Sequence, residues 1–326
     1  MDLVESYKEE LRLIDKPWKG FWVGLLVLFL ILLPWFTGED LLYVATLIFI
    51  YSIGVQGQNI LIGYTGQISL GQAGFLAIGA FSFGHLSRAG VPLLAGLLGA
   101  GLVAGLFGVL VGFPSLRLKG PYLAIVTLGF GIAVYQLFTA YEFLSGGRMG
   151  MIVPKLKPFF GLSREVSTYY FTLIVGLCFT LLSYNLISSY LGRAFVAVRD
   201  NEIAAEVLGV NLTQYKLMSF AISSFYTGVH GALYGMFLGF LEPQMFTFLE
   251  TITMFIAVII GGLALVEGGI FGSAFVILIP FIFNEYKELV PVIYGATVIV
   301  VMIFEPLGLA VSWLKIRLYF RNWPFR

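Results

Sequence analysis

Residues Asn59 to Ala80 read NILIGYTGQISLGQAGFLAIGA, where five glycines and several polar side chains interrupt an otherwise apolar sequence. The hydrocarbon core of a bilayer offers no water to unpaired peptide groups, so irregular backbone persists there only when it is buried in protein or lines an aqueous cavity. This stretch, called the broken segment below, therefore predicts a membrane helix that is interrupted or re-entrant. Its polar members are candidate contacts for a transported solute: Asn59, Tyr64, Thr65, Gln67, Ser69 and Gln72.

Two interpretations of these side chains stay open. Their neutral donors and acceptors suit a zwitterion or a small polar molecule, and a helix N-terminus near Ser69–Gly71 would favour a carboxylate without a buried arginine. Alternatively, the side chains only satisfy backbone groups that the interruption frees.

Composition places most of the chain in a bilayer. Of 326 residues, 59% are hydrophobic and 11% are charged, and the net charge is +1, which gives no reason to expect a nucleic acid as partner. Cys178 is the single cysteine, which excludes an intrachain disulfide and a cysteine-rich metal cluster. No catalytic triad, carboxylate pair or metal-ligand spacing is visible in the sequence, so we expect neither an enzyme nor a metal site.

Apolar runs recur along the chain at lengths near the roughly 20 residues that cross a bilayer as a helix. We therefore predict an all-α polytopic membrane protein with about ten transmembrane helices. The approximate runs are 21–36, 41–58, 73–87, 91–112, 121–139, 169–189, 215–240, 251–265, 270–286 and 289–307.

The distribution of basic residues predicts the orientation. Ten crossings with both termini in the cytoplasm place 13 of the 19 lysines and arginines on the cytoplasmic side, as the positive-inside rule requires. The chain then divides into a cytoplasmic interfacial amphipathic segment (1–20), a transmembrane domain (21–308) and a cytoplasmic tail (309–326).

Glycines at helical spacing predict close helix packing. Small residues three or four positions apart let two helix backbones approach each other in a membrane. Two such series occur: Gly101, Gly105, Gly108 and Gly112, and Gly228, Gly231, Gly235 and Gly239.

Charged residues are missing from the middle of the predicted spans. An ion-coupled carrier needs a buried ionisable group, because such a charge is costly in lipid and is kept for a function. We therefore expect the energy for transport to come from outside these spans. His85 and His230 are the two histidines, and we expect both to be hydrogen-bonded packing residues.

The loop 190–214 contains a short predicted helix from Asp200 to Gly209. Asp200 or Asn201 suits its N-cap, Glu202 places negative charge in its first turn, and Gly209 can end it in a left-handed conformation. One short helix is marginal alone in water, so we expect it to dock against another surface.

Four motifs, in order, resemble the LivM-type permeases of branched-chain amino acid uptake systems. They are NILIGYTGQISLGQAGFLAIGA, LRLKGPYLAIVTLGF, LSGGRMGM and GRAFVAVRDNEIAAEVLGVN. Within the last motif, EIAAEVLG is similar to the EAA-type coupling loop of ABC importer permeases. The sequence departs from the pattern at Ala264, where the resemblance predicts a glycine.

The resemblance implies a membrane subunit of an ABC importer for branched-chain or other hydrophobic amino acids, located in the inner or plasma membrane and holding no cofactor itself. The implied partners are two ATP-binding subunits that hold ATP and Mg²⁺, a second, LivH-like permease, and an extracytoplasmic solute-binding protein. The residues that it implies for coupling to the ATPase are Arg199, Asp200, Asn201, Glu202, Ala204, Ala205, Glu206 and Gly209.

Three alternatives remain open. A permease of the same superfamily for urea or short amides would use the same fold. An ion-coupled secondary carrier predicts uptake that an ionophore abolishes although ATP is present. A passive channel for small polar solutes predicts downhill flux without partners or ATP.

Overall fold

The computed structural model describes residues 17–116, 118, 120–159, 161–283, 289–304, 308 and 310. Most of the predicted N-terminal amphipathic segment and C-terminal tail lie outside these residues, as do Arg117 and Lys119 of one predicted cytoplasmic loop.

Thirteen α-helices are present in the described part of the chain. They are α1 (Pro17–Phe36), α2 (Glu39–Asn59), α3 (Gln72–Arg88), α4 (Leu93–Ser115), α5 (Pro121–Ala140), α6 (Glu142–Ser145), α7 (Arg164–Ser188), α8 (Tyr190–Asp200), α9 (Glu202–Val207), α10 (Leu212–Leu238), α11 (Phe248–Gly261), α12 (Val266–Ile282) and α13 (Val290–Phe304).

Each of the ten predicted apolar runs overlaps one helix of this series. By length and composition, four described segments suffice to cross a membrane: Glu39–Tyr64, Leu93–Pro114, Pro121–Ala140 and Arg164–Ser188. Gly24–Phe36, Phe248–Gly261 and Val266–Ile282 are shorter apolar helices. The mainly helical membrane fold is therefore confirmed, while a count of about ten crossings stays a prediction.

Helix α10 lies at the centre and packs most extensively against α4, α3 and α2. Glycines make these contacts close: a Cβ at Gly228 would lie 2.5 Å from the Ala104 Cβ, and one at Gly79 would overlap the backbone of Gly228. At Gly108, a Cβ would lie 2.8 Å from the Phe220 carbonyl oxygen. The predicted use of glycines in helix packing is therefore confirmed for the series in α4 and for Gly228 and Gly231 of α10. Gly235 instead faces Leu241, and Gly239 ends α10 with a φ of 77°.

Two short strands depart from the purely helical prediction. β1 (Met151–Ile152) pairs antiparallel with β2 (Phe240–Leu241). β2 follows α10 directly in the sequence. The Val153 N–H continues the pairing with a 3.0 Å hydrogen bond to the Gly239 carbonyl. These bonds fix the loop between α6 and α7 onto the C-terminal end of α10.

The broken segment is interrupted as predicted. After α2 the chain winds as a π-helical turn over Ile60–Tyr64, loses helical structure over 65–71, and resumes as α3 at Gln72. Gly66 adopts a φ of 70°, a conformation that glycine reaches without the Cβ penalty.

Ala264 lies in the turn between α11 and α12 with a φ of 58°, where the resemblance predicts glycine. Among the described residues, Ala264 is the only non-glycine residue whose φ is positive. Asn59 holds this turn, since its Oδ1 accepts the Ala264 N–H at 2.9 Å and its Nδ2 donates to the Leu265 carbonyl at 2.8 Å. The start of the broken segment is thus tied to a strained turn more than 200 positions away.

Candidate functional site

The six polar residues of the broken segment are all buried, and none is more than 7% exposed. Gln67 donates from Nε2 to the Ser219 hydroxyl at 2.7 Å, and Thr65 donates to the Leu61 carbonyl at 2.6 Å. Gln72 accepts from the Thr227 hydroxyl at 2.9 Å. Two of these three bonds join the segment to hydroxyl groups of α10 and one goes to a backbone carbonyl, so these polar groups are paired within the protein.

The partners of these residues form a polar stripe on α10 that the sequence analysis missed. Ser219, Ser223 and Thr227 are four residues apart on one helical face and are buried. The hydroxyl of Ser223 also contacts the broken segment, since it accepts a hydrogen bond from Gln72 Nε2 at 3.3 Å. The sequence did contain a signal for this stripe, namely three hydroxyl side chains spaced four residues apart in a mostly apolar helix.

The helix N-terminus that the sequence placed near Ser69–Gly71 is the start of α3 at Gln72. Its Ala73 N–H already donates to the Thr251 hydroxyl of α11 at 3.0 Å. The Leu70 N–H donates likewise to Thr127 of α5 at 2.9 Å. Hydroxyls of two neighbouring helices therefore hold the backbone at this point.

The predicted short helix in the loop 190–214 is present as α9, packed against α8 and α10. Of the two predicted N-cap residues, Asn201 caps the helix, because its Oδ1 accepts the Ala204 N–H at 3.0 Å. Asp200 instead ends α8. Gly209 has a φ of 86°, as predicted for the residue that stops the helix.

Helix α9 presents an apolar surface to solvent. Ile203 is 75% exposed, Val207 82% and Leu208 81%, whereas Ala205 is buried against the rest of the chain. Ala204 and Glu206 share the exposed side. We call Ile203, Val207 and Leu208 the α9 patch.

Glu202 has an intramolecular partner that the sequence did not reveal. Its Oε1 lies 2.6 Å from Nζ of Lys216, a residue of α10 whose side chain is 8% exposed. A buried ammonium without its carboxylate would be strongly destabilising. Glu202 therefore holds α9 against α10, whereas Glu206 remains on the exposed surface.

Arg199 connects the loop to the broken segment. Its Nη1 donates to the Gly63 carbonyl in the π-helical turn at 2.9 Å, and its Nη2 lies 2.9 Å from the Asp200 carboxylate. A Cβ at Gly66 would lie 3.0 Å from the Arg199 Cγ, so the arginine stem crosses directly over this glycine.

A second polar cluster lies between α2, α10 and α11 and corrects the expectation that His230 is hydrogen-bonded. Glu250, in the first turn of α11, interacts with the Tyr51 hydroxyl, and its Oε1 is buried without a partner among the described residues. A carboxylate is therefore buried at the start of a helix, one position before the predicted run 251–265. His230 is fully buried with a ring centroid 4.7 Å from that of Tyr51, and neither ring nitrogen has a hydrogen-bond partner in the described part of the protein.

His85 is hydrogen-bonded as expected, since its Nε2 lies 2.7 Å from the Leu144 carbonyl, but its side chain is exposed and not packed in the interior. Within the described ranges, no group of three or more histidine, cysteine or acidic side chains is arranged to hold a metal ion. Cys178 is exposed on α7.

Comparison with known proteins adds independent information. Residues 40–304 match the sequence profile of the family described as "Branched-chain amino acid transport system / permease component". No solved structure matches the chain.

Three relatives match different shares of the chain. The high-affinity branched-chain amino acid transport system permease protein LivM of Escherichia coli (strain K12) is 34% identical over 317 residues, covering 89% of this chain and 74% of the relative. The probable branched-chain amino acid transport permease protein LivM of Methanocaldococcus jannaschii is 26% identical over 64% of this chain and 66% of its own length. The autoinducer 2 import system permease protein LsrC of Salmonella paratyphi B is 30% identical over 52% of this chain and 46% of its own length.

Proposed function

This chain belongs to the permease family of branched-chain amino acid transport systems, and from that membership we propose that it is the membrane subunit of an ATP-driven importer for branched-chain or other hydrophobic amino acids. In this proposal ATP and Mg²⁺ bind to two separate ATP-binding subunits. A second, LivH-like permease completes the membrane path, and an extracytoplasmic solute-binding protein delivers the substrate. The complex lies in the inner or plasma membrane, with both termini of this chain in the cytoplasm.

The α9 patch is the observation that carries the ATP-driven part of the proposal. Three large apolar side chains are exposed on a short loop helix whose neighbours are polar, and exposed apolar surface of this kind marks contact with a partner. The helix is also anchored at its rear by Glu202 and Lys216. An anchored helix with an apolar front suits a coupling helix that sits in a cleft of an ATPase subunit.

Arg199 supplies a route from that helix to the membrane. Displacement of α9 acts on α8, which it contacts, and Arg199 of α8 is bonded to the Gly63 carbonyl. The π-helical turn that receives this bond precedes the non-helical residues 65–71. We propose that ATP-driven movement of α9 reaches the broken segment through Arg199 and there changes which side of the membrane is open.

The test uses Val207→Asp, with Val207→Leu as the matched control. A carboxylate in the docking cleft would remain buried without a partner, whereas leucine keeps the contact apolar. The complex is purified from native membranes in mild detergent and its subunits are identified by mass spectrometry. We expect both ATP-binding subunits and a second permease with the wild type and the control, and loss of the ATP-binding subunits with Val207→Asp.

Uptake of labelled leucine into membrane vesicles completes the test. ATP-dependent uptake by the wild type that is lost in Val207→Asp and kept in Val207→Leu supports the proposal. Full ATP-dependent uptake by both variants contradicts it. Uptake that persists without ATP and is abolished by an ionophore would favour the ion-coupled carrier, for which the buried Glu250 is the candidate ion site.

A further inference from the structure

A cavity of about 290 Å³ lies beside the broken segment, between α3, α5 and α11. Its floor is buried: Ala73 is 2% exposed, Phe246 2% and Thr251 1%. Its rim is open, since Ile132 is 50% exposed and Phe248 44%. The cavity is therefore reachable from one side and closed on the other by the start of α3.

The lining is mostly apolar with a few hydroxyl and amide groups. Leu70, Ile132, Phe246 and Phe248 supply apolar surface, and Thr247 and Gln136 supply polar groups. Small-molecule sites have this composition and a volume of roughly 300–1,000 Å³, so this cavity fits a ligand at the small end of that range. None of its lining residues is charged, which suits the uncharged part of a ligand.

We propose that this cavity holds the aliphatic side chain of the amino acid during its passage through the membrane, a role that rests on the function proposed above. A lipid acyl chain is the alternative occupant, but the hydroxyl and amide groups in the lining suit a ligand that carries polar groups beside its aliphatic side chain, as an amino acid does.

The cavity is also connected to the element that we expect to move. Thr251 in its floor accepts the Ala73 N–H, and Leu70 at its edge donates to Thr127. Displacement of the broken segment changes the positions of Leu70 and Ala73 and so changes the shape of the floor. Substrate can therefore be held in one state of the transporter and released in the other.

Gly131 allows the volume of the cavity to be reduced by one methyl group. It lines the cavity, and a Cβ there would lie 3.6 Å from the Gly71 Cα, an ordinary van der Waals distance. Gly129 on the same helix has nothing within 4 Å of its Cβ position and does not line the cavity. Gly131→Ala and Gly129→Ala are therefore a matched pair with the same change in backbone freedom.

The experiment measures ATP-dependent uptake of labelled L-leucine and L-alanine by the complete importer in vesicles. The solute-binding protein is identical in all complexes, so its selectivity cancels when each variant is compared with the wild type. A hydrophobic pocket discriminates one methylene group by roughly 10- to 200-fold. We expect Gly131→Ala to lower the leucine-to-alanine uptake ratio about tenfold and Gly129→Ala to leave it unchanged.

Phe248→Ala supplies the reciprocal test by enlarging the rim. We expect it to raise uptake of L-phenylalanine relative to L-leucine. Equal ratios in Gly131→Ala, Gly129→Ala and the wild type, or an unchanged ratio in Phe248→Ala, would overturn the assignment of the cavity while leaving the proposed function intact. A wild-type complex that transports no aliphatic amino acid would instead overturn the proposed function, and this inference with it.

Discussion

Arg199 lies on the last turn of α8, yet its guanidinium reaches the π-helical turn of the broken segment. The bond to the Gly63 carbonyl joins residues 136 positions apart. Both ends were recognisable in the sequence, one as an irregular glycine-rich stretch and the other as part of a loop motif. Their pairing was not, because local periodicity and capping signals carry no information about which distant carbonyl a side chain meets.

Replacing Arg199 tests this contact. In Arg199→Lys the charge is kept but the planar, multiply donating guanidinium is lost. A hydrogen bond from a charged group contributes about 1.5–3 kcal/mol, so we expect roughly a tenfold or greater loss of leucine uptake per ATP hydrolysed. Arg193→Lys, on the same helix, is the control. Unchanged coupling in Arg199→Lys, measured as the ratio of uptake to ATP hydrolysis, would contradict the role given to this bond.

At the scale of helices, the close packing of α4 and α10 follows from glycine spacing that is visible in the sequence. The same holds for the interruption after α2 and for the Asn201 and Gly209 boundaries of α9. The burial of Glu250 was not predictable, because α11 begins at Phe248, three positions before the predicted apolar run. A carboxylate at a helix start normally faces water, and here tertiary contact with Tyr51 takes the place of solvent.

The close contact between α3 and α10 predicts an asymmetry between two glycines of α3. A Cβ at Gly79 would overlap the backbone of Gly228, which has no side chain to move aside. At Gly84 the nearest atom is the Met151 Cε, the end of a flexible side chain. We expect Gly79→Ala to destabilise the protein by about 1–3 kcal/mol and Gly84→Ala to be much milder. Thermal unfolding of the purified variants in detergent measures both, and equal midpoints would show that the helices are less closely packed than described.

For the whole molecule, the proposed function requires that α9 lie in the cytoplasm and that β1 lie on the opposite side. Positive charges predict this arrangement, and the fold places the two regions at separate ends of α10: Glu202 bonds to Lys216 near its start, and Ile152 pairs with Phe240 after its end. The side of the membrane cannot follow from helix packing alone, because the same packing is compatible with either orientation.

Cysteine labelling decides the orientation. In a Cys178→Ser background, Val207→Cys and Ile152→Cys place single thiols at positions that are 82% and 72% exposed. A membrane-impermeant maleimide applied to intact cells is expected to label Ile152→Cys and not Val207→Cys. Inverted vesicles stripped of the ATP-binding subunits, which would otherwise cover Val207, should show the reverse. Labelling of Val207→Cys from outside would place α9 on the side of the membrane opposite to ATP and would contradict its proposed contact with an ATPase subunit.

The π-helical turn at Ile60–Tyr64 has a consequence for the length of the chain. A turn of this kind accommodates one residue more than the surrounding α-helix, so residues that share a face before and after it are spaced one position further apart in the sequence. Deleting Gly63 would allow a regular helix and would leave Thr65 and Gln67 facing Ser219, because about four residues of an α-helix turn the chain as far as five of a π-helix. The deletion would instead remove the carbonyl that accepts the Arg199 guanidinium. The extra residue therefore serves the link to α8 and not the direction in which the polar groups face.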